Sequence, residues 1–152
     1  MFTTILKNKI FRVCVILIVI TFPFALKYRF VKTVGSSMRP TFNDGEWAVI
    51  ERRSSLGKDW LPRRFDKVII TDKKENLHKR IIGLPGDTVE IKEGLIYLNE
   101  KKLKDFVGGI VSNTNQKKKK IPEGYVWVIG DNREDSWFGA LSIKNIIGKI
   151  LF

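Results

Sequence analysis

Two stretches of the chain carry residue types that can do covalent chemistry together. The first is Gly35-Ser36-Ser37-Met38-Arg39-Pro40-Thr41, in which a glycine precedes two serines and Pro40 stops any helix two residues after Met38. Gly35 lets the backbone turn sharply and hold a hydroxyl clear of the surface, with nearby N–H groups free to bind an anion. A serine hydroxyl becomes a nucleophile only when a base within hydrogen-bond reach takes its proton. His78 is the single histidine, so a Ser-His-Asp arrangement exists only if His78 serves, and the base to look for is a lysine. A free lysine, with a pKa of about 10.4, is only about 0.1% neutral at pH 7.5. Burial that lowers the pKa by about 2.5 units leaves roughly a third of the population neutral.

The second stretch supplies that lysine. Over residues 77–83 a strand would point Leu77, Lys79 and Ile81 one way and His78, Arg80 and Ile82 the other. Lys79 thereby shares its face with two branched aliphatic side chains, while most other lysines stand in turns, tails or charge runs. His78 faces away and reads as a surface or core histidine. On composition alone the plainer readings stay open: an ordinary Gly-Ser-Ser loop, and a lysine that blunts a sheet edge.

The elements that must position these residues are short. Residues 13–26 carry no charge and are rich in Val, Ile, Leu and Phe. Counted from Ile10, the run reaches about 25 Å as a helix, close to the lower limit for crossing a bilayer. Three basic residues flank it on each side: Lys7, Lys9 and Arg12 before, Lys27, Arg29 and Lys32 after. A buried helix would not carry such flanks, and a cleaved signal would need a small-x-small site that the residues after Phe24 do not offer. The expected organisation is a cytoplasmic tail over 1–9, an uncleaved anchor over 10–26 that Pro23 kinks or ends near its far side, and a β-rich domain over 33–152. The balanced flanks leave orientation undecided by charge.

After Thr41 the pattern is that of β structure: strand-like runs at 46–51, 65–71, 77–83, 125–130 and 146–152, and a hairpin of 88–92 and 95–99 across Glu93-Gly94. A further short run is expected at 101–106, and the lysine-rich stretch 108–120 reads as a solvated loop. Trp60 and Leu61 form an apolar loop tip that either packs on the domain or touches a bilayer. Six or seven short strands with no long amphipathic helix after residue 40 predict a mainly β domain.

Composition excludes several classes. Cys14 is the single cysteine, so no disulfide framework or thiolate zinc cluster is possible, and one histidine rules out metal sites built on several. Half of the net charge of +12 lies in the first 32 residues, which contain no acid. Basic flanks around an apolar run suit anionic lipid headgroups. Nucleic acid is not an expected partner, because no aromatic stacking pattern or binding module accompanies the basic residues.

Taken together, the motifs resemble the type I signal peptidases (leader peptidases). Residues 35–41 look like the family's nucleophile box, Lys79-Arg80-Ile81-Ile82-Gly83-Leu84-Pro85-Gly86-Asp87 like its general-base box, and Gly130-Asp131-Asn132-Arg133 like the box near its C-terminus. They follow the family's order, behind an N-terminal apolar segment, and the likeness covers roughly residues 10–152. The resemblance implies coiled antiparallel sheets, a Ser37 nucleophile whose own N–H donates to the oxyanion, and Lys79 as general base. It further implies an Arg80–Asp131 pair, a lysine-orienting hydroxyl on Ser136, and Met38 on the wall of the substrate cleft. The implied substrates are preproteins with small residues at −1 and −3, cut on the outer face of the cytoplasmic membrane, with no metal or organic cofactor.

This chain departs from the family pattern in two places. Gly35 stands where some relatives carry a serine that adds an oxyanion donor. After Arg133 the sequence runs Glu134-Asp135-Ser136-Trp137-Phe138-Gly139, as if about four residues including an Asp-Ser-Arg were missing. Ser136 aligns either with the lysine-orienting serine or with the serine of the absent Asp-Ser-Arg; the first alignment is adopted. The stretch 101–120 is also short, which implies a minimal single-domain version. Rival functions are a plasmid-transfer maturation peptidase with the same dyad, a self-cleaving repressor, and a catalytically impaired membrane-tethered binding module. The repressor reading lacks a cleavage site and a DNA-binding domain here.

Overall fold

The computed structural model describes residues 2–72, 75–104 and 115–152, with side chains from residue 8 onward. Helix α1 (Phe2–Lys27) runs without interruption past Pro23. Of the kink or stop expected at the proline, the stop is not made: the helix ends only where strand β1 (Tyr28–Lys32) begins. Its apolar side chains, Ile10 through Leu26, are exposed. Residues 8–27 are long and apolar enough to cross a membrane.

The rest of the described chain is β structure: β2 (Trp47–Arg52), β3 (Lys67–Asp72), β4 (Glu75–Gly83), β5 (Thr88–Lys92), β6 (Leu95–Leu98), β7 (Lys101–Lys102), β8 (Gln116–Lys120), β9 (Tyr125–Ile129), β10 (Phe138–Ser142) and β11 (Ile146–Ile150). Two antiparallel sheets result, of order β1-β2-β11-β3-β4-β9-β10 and β7-β6-β5-β8. The mainly β expectation and the hairpin across Glu93-Gly94 hold. One sequence reading is corrected, and two strands join those expected. β1 belongs to the large sheet, in register with β2 from Tyr28↔Glu51 to Lys32↔Trp47, ahead of the domain start expected at residue 33. Residues 116–120, read as loop, form β8 and pair with β5: backbone hydrogen bonds hold a strand whose four lysines point into water. Phe138–Ser142 is a strand as well. Residues 105–114, which include the ends of the expected run at 101–106 and of the loop at 108–120, lie outside the described residues.

β4 is the central element. From His78 to Gly83 every residue is buried, because β3 covers one edge and β9 the other from Arg80 onward. The strand's two faces feed separate cores. Ile81 packs with Val68, Ile70, Val126 and Val128, while Ile82 packs with Val89, Ile91 and Trp127 between the two sheets. Each such aliphatic side chain contributes about 1.5–3 kcal/mol on burial. A third cluster, built on Met38, Phe42, Ala48, Ile50, Ile69 and Ile150, supports the segment that carries the serines. Trp60 packs against the domain, whereas its neighbour Leu61 is exposed.

Candidate active site

The serine turn is fixed at both ends. Gly35 takes a φ of +86°, a left-handed conformation open to glycine at little cost, and its N–H donates to Asp44 Oδ1 at 2.8 Å. A serine at this position would be strained, which gives a physical reason for the glycine found here. Past the turn, Arg39 N–H donates to Ser36 O at 3.0 Å and Phe42 N–H to Met38 O at 2.9 Å. The segment after β9 clamps the turn from the opposite side: Asn132 N–H donates to Ser37 O at 3.0 Å and Asn132 Nδ2 to Ser36 O at 3.3 Å. The Ser36 hydroxyl donates to Asp135. Among the described residues no acceptor takes the Ser37 N–H.

Lys79 is 3% exposed. Its Nζ donates to Ser136 Oγ at 3.1 Å, and no carboxylate of the described residues pairs with it. Burial pushes its pKa below the usual lysine value against the weaker opposing pull of Asp135 and Asp131. The Ser136 hydroxyl is fully engaged, accepting also from Gly130 N–H at 2.8 Å and donating to Trp137 O at 3.0 Å. Its contact with Lys79 is the one the adopted alignment requires. In the free protein Nζ makes no hydrogen bond to Ser37; catalytic bonds often tighten only once substrate is bound.

Gly130 is where the parts converge. A Cβ built there would lie 2.1 Å from Ser37 O and 2.2 Å from Ser136 Oγ, so the absence of a side chain lets the Ser37 backbone and the Ser136 hydroxyl both approach the chain just past β9. Behind it, the Arg80 guanidinium grips Asp131 with two bonds, Nε to Oδ1 at 2.7 Å and Nη2 to Oδ2 at 2.6 Å. Thr41 Oγ1 donates to the same carboxylate, and Arg80 Nη1 donates to Phe65 O at 3.0 Å. The pair ties β4, the serine segment and the C-terminal box into one unit. Sequence reasoning did not single out Thr41, Asn132, Asp135 or the buried Arg133, whose Nε donates to Gly130 O at 3.1 Å. All four stand inside or beside the quoted motifs, which was the available signal. Met38, expected on the wall of the substrate cleft, is 3% exposed and packs against Phe42 and Ile50.

The family model described as "Signal peptidase, peptidase S26" matches residues 4–152. The chain belongs to this family. It is 34% identical to a signal peptidase I of Bacillus caldolyticus, over 78% of this chain and 74% of that protein. It is also 34% identical to a signal peptidase IB of Staphylococcus aureus, over 78% and 73%. Among solved structures, a signal peptidase I from Enterococcus faecalis V583 matches at 27% identity and a TM-score of 0.49, covering 61% of this chain and 98% of that one. The protein is thus a serine endopeptidase of the signal peptidase family, which removes signal peptides.

Gly130→Ala is expected to destabilise the fold by about 1–3 kcal/mol, the usual cost of overpacking. It should reduce turnover further than this loss explains, because the methyl group pushes Ser37 and Ser136 apart. Denaturation and cleavage measured on one preparation check both; full turnover in a folded Gly130→Ala protein would show that the close approach is not needed.

Proposed function

We propose that this protein is a membrane-anchored endopeptidase in which Ser37 attacks the scissile carbonyl and Lys79 is its general base. The observation that carries this is Lys79 itself: a lysine buried to 3% exposure, held by a hydroxyl instead of a carboxylate, and pushed toward its neutral form. Neutral Nζ accepts the Ser37 proton as Oγ bonds to the carbonyl carbon. The Ser37 N–H, left without an acceptor, suits the oxyanion. Nζ then passes the proton to the departing amine, leaving an acyl-enzyme. In the second half a water gives its proton to Nζ and attacks the ester, and as the acyl C–O bond breaks Nζ returns that proton to Ser37 Oγ.

The sheet offers a place for substrate. Among the described residues no strand pairs with the outer edge of β4 before Arg80, and an extended chain can add there by backbone hydrogen bonds. Such a strand would run beside Lys79 with alternate side chains, at −1 and −3, turned toward the protein. Anchoring through α1 is supported by its exposed apolar surface and by an apolar cleft where Phe24 and Tyr28 meet Phe30 and Phe152. The β domain is assigned to the non-cytoplasmic side, where signal peptides emerge.

Detergent-solubilised protein incubated with a preprotein should release the mature chain. Changing the −1 alanine of that preprotein to leucine is expected to slow release about 5–150-fold, the equivalent of 1–3 kcal/mol of overpacking in a small pocket. Equal rates for alanine and leucine would show that the substrate does not bind in this way.

A further inference from the structure

The turn that follows β9 reaches both reacting groups through neighbouring residues. Ser136 Oγ accepts from Lys79 Nζ. The residue before it, Asp135, accepts from the hydroxyl of Ser36, the residue before Ser37. Asn132, on the same turn, takes the backbone of both serines: its Nδ2 donates to Ser36 O at 3.3 Å and its N–H to Ser37 O at 3.0 Å. Asp135 is set on the turn by its own N–H, which donates to Asn132 O at 3.3 Å. Asp135 is exposed and Ser36 half-buried, so hydrogen bonds more than packing hold the residue that precedes the nucleophile.

We propose that Asp135 is a positioning residue for the dyad: its carboxylate holds the Ser36 hydroxyl and so fixes Ser37 against the turn whose next residue, Ser136, holds Lys79. The inference rests on the Ser37–Lys79 reading above. A small misplacement of reacting groups costs much rate, and here one residue links the tether of the nucleophile to the tether of the base. The carboxylate also acts by its charge. Along β4, His78 and Arg80 turn to the face opposite Lys79. On β3 the residue paired with Lys79 is Val68, with Lys67 beside it. Past β9 stand Asp131, Arg133, Glu134 and Asp135, and the serine segment adds the exposed Arg39. Arg80 takes up Asp131, and Arg133 is turned onto Gly130 O. Burial favours the neutral amine of Lys79, and Asp135 is the carboxylate that most opposes it. Without that charge Lys79 gives up its proton at lower pH.

The test uses the full chain in detergent and a preprotein, with cleavage kinetics followed across pH. Ser36→Ala and Asp135→Ala should each lower kcat on the alkaline plateau about tenfold with KM little changed, the rate equivalent of one lost charge-assisted hydrogen bond. The double variant should lose no more than either single one, because both remove the same bond. Asp135→Asn still accepts from Ser36 and should restore most of the plateau rate. Both Asp135 variants should move the midpoint of the pH profile to lower pH, whereas Ser36→Ala should leave it in place; a role in folding alone moves neither. Plateau rates within about twofold of wild type in both alanine variants, or losses that multiply in the double variant, overturn the assignment of Asp135 while leaving the dyad intact. A midpoint that Asp135→Asn leaves unmoved does the same. Wild-type rates in Ser37→Ala or Lys79→Arg overturn the dyad reading and this inference with it.

Discussion

Lys79→Arg is expected to abolish cleavage as completely as Lys79→Ala or Ser37→Ala, each by on the order of 10⁴-fold or more. Arginine keeps the length and hydrogen-bonding capacity of the side chain but remains protonated at any working pH, so it accepts nothing from Ser37. The measurement is single-turnover release of mature protein from a preprotein, with folding verified separately. Substantial cleavage by Lys79→Arg would sink the general-base assignment. The wild-type pH profile follows from the same cause. Burial depresses the Lys79 pKa, so activity should rise with pH as the ammonium deprotonates, with a midpoint below that of a free lysine. Stability carries the same sign. Between the folded-state pKa and about 10.4, the unfolded chain binds a proton that the folded chain does not, so stability increases with pH across that window. Lys79→Met should remove this slope.

The second large effect is on the fold. Arg80→Ala should cost about 3–5 kcal/mol, because it leaves a carboxylate buried without its charge partner. Arg80 and Asp131 side chains are 5% and 0% exposed, which distinguishes this pair from solvent-screened surface bridges such as Lys118–Glu100. Arg80→Lys should recover little, since an ammonium cannot make the two parallel bonds that the guanidinium makes to Asp131. Replacing both partners by apolar residues should return much of the stability, while the link between β4 and the C-terminal box is lost. Urea denaturation of the detergent-solubilised protein reads the loss. A cost below about 1 kcal/mol for Arg80→Ala would mean that the pair is hydrated or replaced when broken.

The family was legible in the sequence because its motifs are local. The run from Gly35 to Thr41 and that from Lys79 to Asp87 each specify a turn or strand through neighbouring residues alone. Strand alternation likewise placed Lys79 among aliphatic side chains before any contact was known. The hairpin across Glu93-Gly94 follows from the same short-range rules. Charge patterning misled where backbone pairing outweighed it: four consecutive lysines read as loop, yet β5 holds them as a strand edge. Strand β1 was not foreseen because it follows the helix with no intervening breaker, and its membership of the sheet rests on pairing with β2, distant in sequence.

Tertiary structure alone decided the site's assembly. Nothing in the spacing of Ser37, Lys79 and Ser136 says that a missing side chain at Gly130 admits the Ser37 backbone and the Ser136 hydroxyl. The contact of Lys79 Nζ with Ser136 Oγ, 3.1 Å across 57 residues of sequence, exists only in space. The burial of Met38 likewise arises from how strands distant in sequence close over one another. Residue type sets what a group can do chemically, and local pattern sets which way it points. Whether it is desolvated or paired depends on long-range packing, which the order of residues does not display.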